Sequence, residues 1–243
     1  MKPLSCWLIM IGFLFCTLAA QAQVDEIKTR SSGHSSGGSE GHSSGGGGSG
    51  IYIDVFIQSL SLIGEWQRQT LLKKEVNPEI ISLDVLLQTA VQPSSYYIVN
   101  PRIRANWGLF STDFRLNYLI EEGIEGTKHI RTDDWQVLQL NIVTTRNVLF
   151  RLGGGILHED FSGGKTFQEW TIGFHLNSNR HHLGGMTEYR WSEPRKEWNG
   201  QVQYKIFQTG HFHGYITGGV VYQRYYQAVS VWGMQGGLMF RFY

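Results

Sequence analysis

Cysteine is nearly missing from this chain. Only Cys6 and Cys16 occur among 243 residues, and both lie within the first 22. Beyond them neither a disulfide framework nor thiol chemistry is open to the protein. A long apolar run is missing as well: past residue 22 no stretch approaches the about 20 residues that a membrane-crossing helix needs. Nor is there a surplus of one charge. The 21 basic and 20 acidic residues give a formal net charge of +1, and Lys2 is the only charged residue before position 23. The remainder is balanced, which gives no basis for a nucleic-acid partner.

What is present begins with an address. Lys2 precedes an apolar run over 7–18, and Ala20-Gln21-Ala22 has the small-x-small spacing of a signal-peptidase site. Residues 1–22 therefore read as a secretory signal peptide. A lipoprotein signal would need a small residue where bulky Phe15 precedes Cys16.

From 79 to 243 the pattern is alternation. Ten strands are expected near 79–90, 97–108, 112–120, 135–144, 147–158, 167–177, 181–191, 198–207, 212–223 and 229–243. Most have the length a tilted strand needs to cross an apolar layer. Tight connections, as at 145–147 and 177–180, alternate with longer ones, as at 121–134 and 159–166. Long loops on one rim and tight turns on the other fit a transmembrane barrel.

The parity of each strand is informative. In the second, Tyr97, Val99, Pro101, Ile103, Ala105 and Trp107 oppose Ile98, Asn100, Arg102, Arg104 and Asn106. In the sixth, Trp170, Ile172, Phe174 and Leu176 oppose Glu169, Thr171, Gly173 and His175. Arginines inside and apolar residues outside make sense only against lipid. Tyr97, Trp170, Trp191, Trp198 and Trp232 fall near one set of strand ends, and Trp107 and Phe242 near the other, as two aromatic girdles. Three features run against the pattern. Pro101 lies inside a strand and needs a bulge or break, Trp135 has inward parity, and the ninth strand barely alternates, with Tyr215 and Val221 against Ile216 and Val220.

The signal, the strands, the girdles and the aromatic ending over 236–243 together resemble outer-membrane β-barrels of Gram-negative bacteria, of a small, functionally uncharacterised type. That resemblance implies an all-β fold, an antiparallel transmembrane β-barrel of about ten strands over 79–243. It also implies membrane lipid and the general barrel-insertion machinery as partners, with Phe240, Phe242 and Tyr243 as the insertion signal. An even strand number puts both barrel ends on the periplasmic rim. Residues 23–50, nearly all Gly and Ser after 31 with Gly-His-Ser-Ser-Gly-Gly at 33–38 and 41–46, then read as a flexible periplasmic tether. Residues 51–78 are ambiguous between strand and helix: 51–57 alternates, while Tyr52, Val55, Phe56, Leu60 and Ile63 share a helical face. They are expected to form a short ordered periplasmic or plug-like element, and 23–78 is open to a periplasmic partner.

The inward parity collects Asp84, Arg102, Arg104, Arg115, Arg151, Glu169, Glu188, Arg190, Lys205 and Arg241. Unpaired charges in a dry interior cost several kcal/mol each, so these must pair or stay wet. Strand position pairs Asp84 with Arg104 and Glu169 with Arg190. Paired, they seal a scaffold with a structural or partner-binding role, since barrels near eight strands are filled by side chains. Wet, their basic excess makes a small anion-preferring pore. The third reading is a surface hydrolase built from His158-Glu159-Asp160 and from His129 with Asp133-Asp134. No catalytic residue is assigned: Asp, Glu and His are ordinary solvated loop residues, the two clusters are distant in sequence, and Ser162 lacks the Gly-x-Ser-x-Gly setting. The glycines at 153–155 and 218–219 lack a phosphate-loop context. No cofactor is expected, and His34 and His42 are isolated imidazoles rather than a metal site.

Overall fold

The computed structural model describes residues 23–33, 62–73, 80–92, 96–123, 126–144, 147–161, 163–178 and 182–243. Residues 1–22, read as a signal peptide, the repeats over 33–38 and 41–46 beyond Gly33, the 51–57 alternation and Ser162 lie outside them. Ten antiparallel strands form a closed barrel. They are β1 Ile81–Gln92, β2 Tyr96–Trp107, β3 Phe110–Gly123, β4 Gly126–Thr144, β5 Val148–Glu159, β6 Thr166–Ser178, β7 Leu183–Ser192, β8 Arg195–Thr209, β9 Phe212–Tyr225 and β10 Val229–Phe242. Each strand pairs with its neighbours in sequence, and β1 closes on β10 with Asp84 opposite Arg241 and Leu87 opposite Leu238. All-β architecture and strand number are those the alternation predicts.

The alternation is inverted relative to a barrel in water. Inward residues such as Arg102, Arg115 and Gln139 are buried, while every strand carries large apolar side chains outward. Leu87, Ile103, Phe114, Val137, Ile156, Trp170, Tyr189, Val202, Ile216 and Met234 represent the ten strands on that outer face. Closure also leaves no free strand edge.

The expected asymmetry of loops is found only in part: the long connection expected at 159–166 is there, between β5 and β6, but two others are not. Residues 121–134, expected as a long outer loop, instead continue β3 and β4 as a hairpin that turns between Gly123 and Gly126, so β4 runs for 19 residues. The charged residues there masked a strand because they alternate with Ile120, Ile130 and Thr132 beyond the apolar belt. β7 and β8 are likewise joined through Glu193 and Pro194 alone.

Trp135 points outward, 46% exposed, because the β4–β5 register shifts between Trp135 and Leu138. A β-bulge adds one residue and reverses the parity beyond it. Pro101 stays in register with Leu87 on β1, whereas the β2–β3 pairing skips Asn100 and Pro101. That gap is the break a ring nitrogen without a hydrogen requires.

Among the described residues two helices flank the strands. Helix α1, Gln23–Gly33, holds Val24, Ile27 and Ser31 fully buried against the barrel. The tether expected for 23–50 is therefore corrected over its first eleven residues. Val24 and Ile27 are one helical turn apart, and Asp25 and Glu26 favour a helix N-terminus; the Gly/Ser run after them dominated the composition. Helix α2, at 62–72, is exposed and rests on the β2–β3 turn. There Gln67 Nε2 donates to the Trp107 carbonyl at 2.9 Å and Gln67 Oε1 accepts from Leu109 N at 2.6 Å. It is an element at the rim, not a plug.

The β1–β10 seam depends on a close approach at Gly237, where a Cβ would run into the Leu87 carbonyl oxygen. Gly237→Val is expected to lower the urea unfolding midpoint, through a loss of unfolding free energy of about 1–3 kcal/mol, typical of overpacking. Gly236→Ala, whose added Cβ meets nothing nearer than 3.9 Å, is expected to leave the midpoint unchanged.

Candidate functional site: the barrel lumen

The lumen is layered along its axis, and the layers follow from which inward residues each strand supplies. At the rim opposite the C-terminus the inward parity turns apolar. Ala90, Ile98, Leu119, Ile130, Val221 and Val231 form a collar that closes around Val24 and Ile27 of α1. The weak alternation of β9 is explained here, since Val221 faces this collar while Ile216 and Val220 face outward.

Polar contacts fix the helix in that mouth. Gln23 N and Val24 N donate to the Glu121 carboxylate at 3.1 and 2.9 Å, which satisfies two backbone donors of the first turn. Lys128 pairs with Asp25. Ser31 Oγ and Tyr226 OH both donate to Glu159 Oε2, at 3.2 and 2.6 Å. The turn carrying Tyr226 puts two successive non-glycine residues in the left-handed region, Tyr226 at φ 47° and Gln227 at φ 57°. Burial, then the Glu159 carboxylate, raises the pKa of the Tyr226 hydroxyl, which keeps it a donor.

Below α1 lies a dense ion-pair network. Arg195 donates to Asp134 at 2.6 Å and to Glu169 at 2.9 Å. Arg115 bonds Asp134 at 2.8 Å and Glu197 at 2.9 Å. One layer further, Arg102 bonds Asp113 at 2.8 Å and Glu188 at 2.7 Å, and Arg104 reaches the same two carboxylates at 3.2 and 2.8 Å. Arg190 joins this layer through Glu188 and Asp113, both at 2.5 Å, and approaches Glu169 at 3.6 Å. Arg241 forks onto Asp84 at 2.6 and 3.0 Å. All these side chains are at most 5% exposed. Forked guanidinium–carboxylate geometry is among the strongest side-chain pairings.

The seventh buried arginine differs. Among the described residues Arg151 donates to amide oxygens alone, to Asn141 Oδ1 at 3.0 Å and Asn106 Oδ1 at 2.9 Å. It borders a cavity of about 20 Å³ shared with Arg104, His175, Asp84 and Arg241.

Nine of the ten residues expected in the lumen charge network are there. Lys205 is not: it is half-buried at the rim beside Gln208. Asp84 takes Arg241 across the seam rather than Arg104, although Arg104 is its register partner on β2. Glu169 meets Arg190 as expected, but its shorter contact is Arg195. Asp113, Asp134, Arg195 and Glu197 were not among the expected set. Asp113 shares the parity of Arg115; the others lie where strands run past the expected ends. With them, the basic excess read from sequence mostly disappears.

The hydrolase candidates divide. Asp134 is locked in the lumen, whereas Asp133 faces outward, held by Arg131 at 2.8 and 2.7 Å. Asp133 is the register partner of His158, whose Nδ1 lies 3.0 Å from Thr166 Oγ1. Glu159 is used in fixing α1, and His129 is exposed. The girdle residues Tyr97, Trp107, Trp170, Trp198, Trp232 and Phe242 all point outward, with Trp191 half-buried against Tyr189. At the chain's end Phe240 and Phe242 pack on Phe212, and Tyr243 N donates to the His211 carbonyl at 2.9 Å. Comparison with family models, curated proteins and solved structures finds no significant match.

Removing one member of a buried pair strands its partners, at a cost of about 3–5 kcal/mol. Asp134→Ala leaves Arg115 and Arg195 short of a carboxylate, and a loss of that size is expected in equilibrium unfolding. Lys205→Ala, outside the network, is expected to leave the midpoint unchanged.

Proposed function

We propose that this chain is an integral barrel of an outer membrane with a sealed lumen, serving as a structural or partner-binding element rather than a conduit. The observation that carries this reading is the inverted polarity. Large apolar side chains are exposed on every strand, and arginines and carboxylates fill the interior. Soluble monomers rarely expose contiguous apolar surface beyond a few hundred Å². In a bilayer the same surface is the buried one.

The aromatic positions support it. Tyr97, Trp170, Trp198 and Trp232 ring the α1 end, and Trp107 and Phe242 ring the other, as interfacial belts require. Charged outward residues such as Arg131, Asp133, Lys196 and Arg224 belong to the α1 end, next to or beyond that girdle. The signal segment and the ending Phe240, Phe242 and Tyr243 support delivery to the outer membrane and recognition by the general insertion machinery. Exposed Leu62, Trp66 and Leu72 on α2, beside the Trp107 rim, suit a helix lying on the bilayer surface.

Two barriers in series support the sealed state: α1 in one mouth and the arginine–carboxylate network below it. The test is single-channel recording on the chain refolded into a planar bilayer under a salt gradient. Silence from a folded, heat-modifiable barrel is expected, and silence again after Val24→Asp/Ile27→Asp displaces α1, because the network still blocks the path. Steady anion-selective openings of the unmodified chain would overturn the sealed reading in favour of a pore.

A further inference from the structure

Glu121 and Glu159 are engaged by α1 and Tyr226 in the mouth, and in the layers below α1 one cation is left over. Six buried arginines share six carboxylates: Asp84, Asp113, Asp134, Glu169, Glu188 and Glu197. Arg151, 4% exposed, has no carboxylate within ion-pair distance among the described residues, only the two asparagine oxygens. A buried cation with neutral partners alone is costly.

The surroundings of Arg151 lean the same way. Beside it, Arg102, Arg104 and Arg190 divide two carboxylates, Asp113 and Glu188, among three guanidiniums. Among the described residues Arg104 Nε is buried without a hydrogen-bond partner, and Arg104 Nη1 has only the Met186 sulfur at 3.5 Å. Asp84, on the cavity wall, does not correct the balance because Arg241 already occupies both its oxygens. His175, also on the wall, meets Gln203 through Nε2 at 2.7 Å. The cavity between these groups measures about 20 Å³. A single water needs about 10–15 Å³ on this measure, so one atom-sized occupant fits and a phosphate does not.

We propose that this cavity is a binding site for one monatomic anion of chloride size, held by Arg151 and Arg104. The anion completes the network: it supplies the negative charge that the layers below α1 lack and accepts from the Arg104 Nε–H. It is a static counter-ion between paired layers and adds no conduction path. The proposal concerns the folded barrel in any medium and does not depend on the membrane reading.

The test uses the refolded chain in zwitterionic detergent. Its unfolding temperature is measured in sodium chloride and in sodium gluconate, whose anion is too large for the cavity, at equal ionic strength. A rise in chloride on the order of 3 °C is expected, and Arg151→Gln is expected to unfold at one temperature in both salts. Equal temperatures for the unmodified chain would overturn the proposal, as would a full chloride shift retained by Arg151→Gln. Should that variant fail to fold, crystals of the unmodified chain in sodium bromide decide. An anomalous peak between the Arg151 and Arg104 guanidiniums is expected, and a cavity holding only water overturns the site.

Discussion

The constraint on which everything else rests is closure. A sheet that closes on itself has no edge at which to discard an awkward strand, so each inward residue faces the lumen and must be satisfied there. In this chain the inward set is guanidiniums and carboxylates, drawn from every one of the strands except β9. The pairs join residues far apart in sequence, such as Asp84 with Arg241 and Arg102 with Glu188. Even the β7–β8 hairpin, neutral alone with Glu188, Arg190, Arg195 and Glu197, takes partners for these charges from β2, β3, β4 and β6, so the pairs form only when the strands are in register. A slip of one residue would turn a whole strand's charges outward and its apolar residues in.

From that constraint the outer surface follows. Polar residues are committed to the interior, so the apolar parity is left outside, where it becomes the proposed lipid-facing belt. The two ends are then finished differently. At one, the inward parity becomes apolar and takes up Val24 and Ile27, while Glu121, Glu159 and Tyr226 hold the helix by its polar groups. At the other, the aromatic ending packs on Phe212 and the Arg151 cavity interrupts the pairing. Plug, network and cavity are therefore three local answers to one requirement.

Strand number, polarity and most of the inner charge set were legible in the sequence because a two-residue period is insensitive to where a strand starts. Boundaries were not. Extending β4 back to Gly126 and β8 back to Arg195 adds Asp134, Arg195 and Glu197 to the lumen. An apparent excess of arginine thereby becomes near-neutrality. Trp135 misled because a bulge changes phase without leaving a sequence mark. Helix α1 was hidden by the Gly/Ser run behind it, but it left an indirect trace: the inward parity loses polarity at Ala90, Ile98, Leu119, Ile130, Val221 and Val231. Six apolar residues turned into a lumen otherwise lined with charge call for an apolar partner.

The proposed barrel sets an apolar exterior in lipid around a dry, closed interior. The chain from residue 23 contains no cysteine, so single cysteines can be placed along β10 and spin-labelled in bilayers. Outward positions Met234 and Leu238 and inward positions Gln235 and Met239 are the informative set. Outward labels are expected to relax with oxygen and not with a water-soluble nickel complex, and inward labels with neither. Nickel access at the inward positions would contradict the sealed lumen, and nickel access at the outward positions would contradict the lipid-facing belt.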